Sequence, residues 1–212
     1  MRLEQTDKKR DIRLHVLYED NHLIGVFKPP HVLSQADFSK AEDMIALIKK
    51  YLIEKYQKPG KAFLGLIHRL DKSVSGVMLF AKTSKAASRL SEQIRQHKTE
   101  KIYLARVEGR VDSKRRRLES IVDSKQAVLE FERIGTDEKF SHLKVLLETG
   151  RKHQIRKQLS EIGHPICGDA LYGSKTSFKE GIALVSYSFA FLHPISKESI
   201  TITLPDHLNV LR

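Results

Sequence analysis

The chain has 212 residues, 40% hydrophobic and 30% charged, a length and apolar content suited to one domain or two small lobes sharing a sheet. Its formal net charge is +12, with Lys and Arg dispersed rather than gathered in a tail, which points to a folded basic face and to nucleic acid ahead of an anionic membrane as partner. The single cysteine, Cys167, excludes an intramolecular disulfide, fits a reducing compartment and, with scattered histidines, makes no zinc-site pattern.

The N-terminus, MRLEQTDKKRDIRLHVLYED, is charged and lacks the apolar stretch of a signal peptide. No run approaches the ~18 apolar residues of a transmembrane helix, so the expectation is a soluble, cytoplasmic protein. Residues 1–12 read as a polar, flexible segment. Residues 14–18 and 23–28 read as strands joined by the turn cluster Glu19-Asp20-Asn21, with Pro29-Pro30 ending the second. A helix is expected over 41–56, with Met44, Ile45, Leu47, Ile48, Tyr51 and Leu52 on its apolar side, Ser39 as cap and Pro59-Gly60 closing it.

Two short apolar runs, 64–67 and 77–81, follow as buried strands, and 84–96 as an amphipathic helix capped by Thr83 or Ser84. EKIYLARVE, 100–108, alternates as a strand ended by Gly109. Residues 110–125 read as a basic connector containing Lys114-Arg115-Arg116-Arg117, a candidate RNA footprint. Residues 127–134 and 142–149 form a hairpin around Gly135-Thr136-Asp137. A helix over 153–162 places Ile155, Leu159 and Ile162 on one face and stops at Gly163-His164-Pro165. Strands over 182–192 and 199–204 and a short terminal helix complete an α+β chain with a largely antiparallel sheet. No Walker loop or G-x-G-x-x-G is present, so a nucleotide cofactor has no support, and no Ser-His-Asp or Cys-His pattern can be assigned. Cys167 reads as a small core residue.

Chemistry points to the polar segment between the two apolar runs, His68-Arg69-Leu70-Asp71-Lys72-Ser73-Val74-Ser75-Gly76. It lies at a strand end, where a rigid scaffold presents loop residues. Asp71 stands among His68, Arg69 and Lys72; an ionised carboxylate in such a setting can act as a nucleophile or stabilise positive charge. From this segment alone, a surface ion pair is the commoner meaning of such an aspartate.

Three segments in order, HRLDKSVSGVMLFAKT (68–83), EKIYLARVEG (100–109) and TGRKHQIRKQLSEIGHPICGDALYG (149–173), together resemble the RluA-type RNA pseudouridine synthases, with weaker echoes at 19–35 and 182–194. The resemblance implies a mixed, mostly antiparallel sheet split by a basic active-site cleft, with helices outside. It implies an isomerase that breaks the N1–C1′ bond of a uridine in ribosomal or transfer RNA, turns the uracil and bonds C5 to C1′, with no cofactor or metal. By the same resemblance Asp71 is the essential carboxylate, Tyr103 stacks on the target base and helps move the C5 proton, and Arg151 pairs with Asp71. Whether the carboxylate attacks C6, attacks C1′ or forms a glycal stays open.

The resemblance further implies that Arg69 fills the space left by an extruded base and that Leu184 lines the base pocket. His68, Lys72, His153 and Gln154 are motif positions of a structural or RNA-contacting kind. Lys72, Val74, Lys152, Ala170 and Val185-Ser186 depart from the family's usual residues, which bears on substrate identity rather than on activity. The expected organisation is a flexible segment and first strand over 1–18 and a catalytic domain over 19–212, without the small S4 module of many relatives, acting as a monomer. The competing reading is a non-catalytic RNA-binding or RNA-folding protein that retains the fold.

Overall fold

The structure, a computed structural model, describes residues 13–38, 41–57 and 63–211. The flexible 1–12 segment, the Ser39 cap and the Pro59-Gly60 stop expected from sequence lie outside those residues.

Ten strands form one sheet among the described residues. In chain order the elements are β1 (His15–Glu19), β2 (Leu23–Lys28), α1 (Met44–Tyr56), β3 (Gly65–Leu66), β4 (Ser75–Ala81), α2 (Ser84–Arg95), β5 (Glu100–Glu108), β6 (Arg115–Val122), β7 (Lys125–Thr136), β8 (Phe140–Leu147), α3 (Gln154–Glu161), β9 (Leu184–Leu192) and β10 (Ser199–Thr203), with 3-10 turns at Ala170–Tyr172 and Asp206–Leu208. The path across the sheet runs β1-β2-β4-β9-β5-β8-β7-β6, with β3 added to β4 and β10 to β9. The domain boundary expected at 18/19 falls inside β1, which pairs antiparallel with β2.

Alternation sorts side chains onto two faces. Met78 and Phe80 of β4 join Ile24, Val26, Met44, Ile48 and Leu52 in the larger core, beneath α1 and continuous with Phe131, Val145 and Leu159 beneath α3. Val77 and Leu79 point the other way, to Leu23, Ala86, Leu90, Val185 and Phe189, beneath α2. Covered on both faces, β2 and β4 are buried throughout. Asp43 caps α1, accepting from the amides of Ile45 and Ala46, and Thr83 caps α2.

One pairing sets the site. Strands β4 and β9 meet in parallel over Ser75↔Val185 and Gly76↔Ser186, while the pairings of each with its other neighbours, β2 and β3 for β4, β5 and β10 for β9, are antiparallel. Gly76 has φ 124°, and a Cβ there would sit 2.2 Å from the Ser186 carbonyl oxygen, so this seam requires glycine. The loop carrying Asp71 leads into this seam on one side, and Leu184 opens β9 on the other.

The expected basic connector is corrected. Residues Arg115–Val122 are β6, an edge strand paired along its length with β7 through a two-residue turn in which Asp123 and Ser124 have φ 50° and 60°. Positive φ at both central residues is the hairpin geometry that matches strand twist. The run of exposed arginines hid the strand, because only Leu118 and Val122 bury their side chains.

Candidate active site

A cleft of about 890 Å³ opens along the seam, lined by the Asp71 loop, the segment 33–37, Tyr103 of β5, the turn 150–153 with the start of α3, and Leu184. The backbone around Asp71 is held from several sides. Ser34 Oγ donates to the Leu70 carbonyl at 2.6 Å and accepts from the Leu70 amide at 3.1 Å. The amide of His31 donates to the Lys72 carbonyl, and that of Val74 to the Asp71 carbonyl. Beneath the loop, the fully buried Lys28 donates from Nζ to the carbonyls of Pro29 (2.9 Å), Lys72 (3.2 Å) and Val74 (2.6 Å). Burial pushes this lysine down to about 7, against the pull of the Asp71 charge.

The arginine beside Asp71 is Arg156, not Arg151. Arg156 Nη1 donates to Asp71 Oδ2 at 3.1 Å, while Nε and Nη2 donate to the two carboxylate oxygens of Asp169 at 2.6 and 2.8 Å. The guanidinium also lies over the Tyr172 ring, 4.9 Å from its centre. Side chains of Arg156 and Asp169 are 7% and 1% exposed, that of Asp71 28%. Arg151 instead sits in the turn before α3 and spends Nε on the Gln126 carbonyl at 3.0 Å. The physical reason is where the helix begins. With α3 starting at Gln154, position 156 lies in its first turn among buried residues 154, 155, 158 and 159, and position 151 precedes the helix. A cation on that inward face must find a carboxylate, a signal that the periodicity of Ile155 and Leu159 already carried.

His153 caps α3 in the left-handed region, φ 54°, without a side-chain bond to the helix amides. Its Nδ1 lies 2.9 Å from Tyr172 Oη and its Nε2 3.7 Å from Asp71 Oδ2. Burial is the main influence lowering its proton affinity; Asp71 opposes that, Arg156 and Lys152 add to it, and Asp169 opposes it further. The two groups within ion-pair distance of the Asp71 carboxylate among the described residues, Arg156 and His153, both approach Oδ2. Among the described residues no hydrogen bond reaches Oδ1.

Tyr103 is 6% exposed and forms a wall of the cleft. Burial first and the Asp71 charge also raise its phenol to about 12, with Ser186 acting the other way. Leu184, 3% exposed, supplies an apolar wall. Arg69, Lys72, Lys101, Arg151 and Lys152 make the lining strongly cationic.

Two expected contact residues have their polar atoms engaged within the protein. His68 Nε2 accepts from the Leu79 amide at 3.0 Å and its ring packs on Phe189. Burial, with Lys101 nearby, pushes it down to about 3, so it is a neutral internal acceptor. Gln154 makes four hydrogen bonds, to Thr149 Oγ1, the Arg151 amide, the Val128 carbonyl and Gln158, tying the turn before α3 to β7. Sequence reasoning missed Lys28, Arg156, Asp169 and Tyr172, although the last three fall inside the third motif. Among the described residues no cluster of three or more His, Cys, Asp or Glu could hold a metal ion, and no helix is long and apolar enough to cross a membrane.

Residues 22–161 match the family described as RNA pseudouridylate synthase. The chain is 34% identical over 209 residues to an uncharacterised RNA pseudouridine synthase of Bacillus subtilis, covering 92% of this chain and 73% of that protein. It is 30% identical to tRNA pseudouridine synthase C of Haemophilus influenzae, covering 90% and 92%, and 31% identical to ribosomal large subunit pseudouridine synthase D of Xanthomonas campestris, covering 92% and 67%. Among solved structures, human RNA pseudouridylate synthase domain containing 4 superposes with a TM-score of 0.77 at 18% identity, covering 93% of this chain and 91% of that one, a likeness of fold.

Proposed function

Because the chain belongs to the RNA pseudouridylate synthase family, we propose that it isomerises specific uridines in ribosomal or transfer RNA to pseudouridine, with Asp71 as the essential carboxylate. The observation that carries this reading is the Asp71 carboxylate, anchored through one oxygen by Arg156 in a cleft that also presents a buried tyrosine and a cationic lining. Asp71 engages the nucleotide through Oδ1. Arg156 holds its other oxygen at a fixed angle, a task suited to the planar guanidinium fork. Tyr103 and Leu184 bracket the base. Arg69 takes the space vacated when the uridine leaves its stack, an extrusion costing a few kcal/mol. Lys72, Arg151 and Lys152 meet phosphates, giving salt-dependent and largely sequence-blind affinity, while the shape of the RNA and its unpaired bases choose the site.

The reaction keeps all its atoms. The N1–C1′ bond breaks, the uracil turns within the cleft, C5 bonds to C1′, the C5 hydrogen leaves as a proton and N1 takes up a proton in exchange, so positioning and charge stabilisation suffice without a cofactor. The catalytic domain is taken to begin with β1 rather than at residue 19, and the protein to act as a monomer in the cytoplasm.

Tritium release from RNA labelled at uridine C5 tests this, because the new C5–C1′ bond displaces that hydrogen. Unmodified ribosomal and transfer RNA are assayed separately with the native protein and with Asp71→Asn. Release by the native protein from one RNA class, and background from the variant with RNA binding retained, is expected. Full release by Asp71→Asn would overturn the role of Asp71. No release from either RNA, with binding retained, would favour a non-catalytic RNA-binding protein.

A further inference from the structure

Several cations stand in or under the cleft wall, and most of them have partners or are solvated. Lys28 Nζ is spent on three carbonyls, Arg156 on two carboxylates and Arg151 Nε on the Gln126 carbonyl. Arg69, Lys72 and Lys152 are exposed. Lys101 fits neither group. It is half-buried on β5, two positions before Tyr103, so the two side chains leave the strand on one face, and both line the cleft. Among the described residues its Nζ makes no hydrogen bond and no ion pair. Burial pulls its proton affinity below the ordinary lysine value, and the neighbouring His68 is a neutral ring that offers no countercharge. A cation drawn out of water without an anion carries a free-energy cost.

The turn beside this amine leaves it uncovered. Gly150 also lines the cleft, and a Cβ placed on it would sit 3.6 Å from Lys101 Nζ. Its φ is not in the left-handed region, so the backbone does not call for glycine there. What the missing side chain provides is access to the amine. We propose that Lys101 Nζ, left open by Gly150, forms a phosphate subsite that takes a phosphodiester flanking the isomerised uridine. The proposal rests on the uridine-isomerising reading of the same cleft and deepens it. Neutral uracil offers a desolvated ammonium only carbonyl dipoles. A phosphodiester brings a full charge, and a charge-assisted hydrogen bond is about twice as strong as a neutral one. The position of Lys101 agrees with this. The Asp71 charge acts on Tyr103, whereas burial alone acts on Lys101, which sets the lysine away from the reacting carboxylate. Two positions along a strand span about 7 Å, so Lys101 reaches past the ring that Tyr103 brackets to the sugar-phosphate backbone. Because the amine lies inside the cleft, only an extruded nucleotide makes the contact, which offsets part of the cost of extrusion.

The experiment uses Lys101→Met, which keeps an apolar stem and removes the charge, with unmodified ribosomal and transfer RNA as probes. Without RNA the variant should have a higher denaturant midpoint than the native protein, because no unpaired cation has to be desolvated on folding. With RNA it should bind about tenfold more weakly, and the slope of log affinity against log salt concentration should fall by about one. A residue that merely supports the fold would lose stability instead. Tritium release from C5 should show KM raised by a similar factor with kcat nearly kept, as expected of a contact made equally before and in the transition state. Gly150→Ala, which sets a methyl group beside the amine, should weaken binding in the same sense by less, and native affinity there would take Gly150 out of the subsite. Native affinity and slope in Lys101→Met overturn the proposal, as does a lowered midpoint, which would make the lysine a structural residue. A fall in kcat at unchanged RNA affinity would put the amine on the reacting base and overturns it too. Absence of release by the native protein from both RNAs would sink the uridine reading, while the salt slope and the midpoint would still decide whether Lys101 takes a phosphate.

Discussion

Arg156 and Arg117 make the same connection in two places. Each guanidinium spends three nitrogens on two carboxylates, Arg156 on Asp169 and Asp71, Arg117 on Glu148 and Glu119. The contacts look alike, but the Arg156 side chain is 7% exposed and that of Arg117 47%. Solvent reaches little of the Arg156 side chain and so competes weakly for its bonds, and the arginine fixes the angle at which Asp71 is presented. On β6, solvent competes for every bond and salt screens what remains. A diagram of ion pairs would rank the two sites as equals; burial decides what each can do.

The largest effect that would break this comparison is expected at Arg156. Arg156→Met leaves the buried Asp169 and the half-buried Asp71 without their cation, and breaking a buried pair in this way costs about 3–5 kcal/mol, to be read from the denaturant midpoint. Turnover should vanish as well. Arg151→Met is the control five residues away. It should fold normally and keep kcat, with only weaker RNA binding. The reverse outcome, turnover lost in Arg151→Met and kept in Arg156→Met, would reinstate Arg151 as the partner of Asp71.

A pH experiment extends the contrast to a buried histidine. His68 is pushed down to about 3 in the folded protein, below its ordinary value of 6.5, so the unfolded chain binds the extra proton first. Its contribution to stability is complete above about pH 6.5 and is lost as the pH falls toward about 3, at up to about 1.4 kcal/mol per pH unit. His68→Gln, whose amide oxygen can accept from the Leu79 amide, should be less sensitive to acid over that window. Equal slopes of unfolding free energy against pH for the two proteins would show that His68 does not carry this dependence.

The smallest effects belong to β6. Arg115 and Arg117 are paired with Glu132, Glu119 and Glu148, whereas Lys114 and Arg116 have no ion pair among the described residues. Arg117→Met should leave the denaturant midpoint nearly where it was. Replacing Lys114 and Arg116 together should flatten the salt dependence of RNA binding by up to about one charge each, more than replacing Arg115 and Arg117 does. An unchanged slope in both pairs would take this strand out of the RNA footprint.

Much of this fold was legible in the chain. The bounds of β2 and β5 follow from an apolar run stopped by Pro29-Pro30 and from alternation stopped by Gly109, both local signals. The hairpin around Gly135-Thr136-Asp137 and the helix after Thr83 were legible for the same reason. Strand β6 was not, because an edge strand with a solvated face can be built from arginines, and its alternation shows only at Leu118 and Val122. Within the site, Asp71, Tyr103 and Leu184 do lie around one cleft. His153 read as a structural or RNA-contacting position, and nothing in TGRKHQIR reveals that its ring would meet Tyr172.

The sequence by itself determined the residue types, the order of the motifs, the cationic surplus and the periodicity of most elements. All of these are carried by neighbours within a turn of helix or a few strand positions. Only the tertiary structure decided which arginine serves Asp71, which polar side chains are consumed by the fold and which remain open to a ligand. Arg156 and Asp71 are 85 positions apart, and they meet because the parallel seam at Gly76 and Ser186 sets the Asp71 loop beside the first turn of α3. Pairing over that separation depends on how whole strands order themselves in the sheet, and no local pattern of side chains records it.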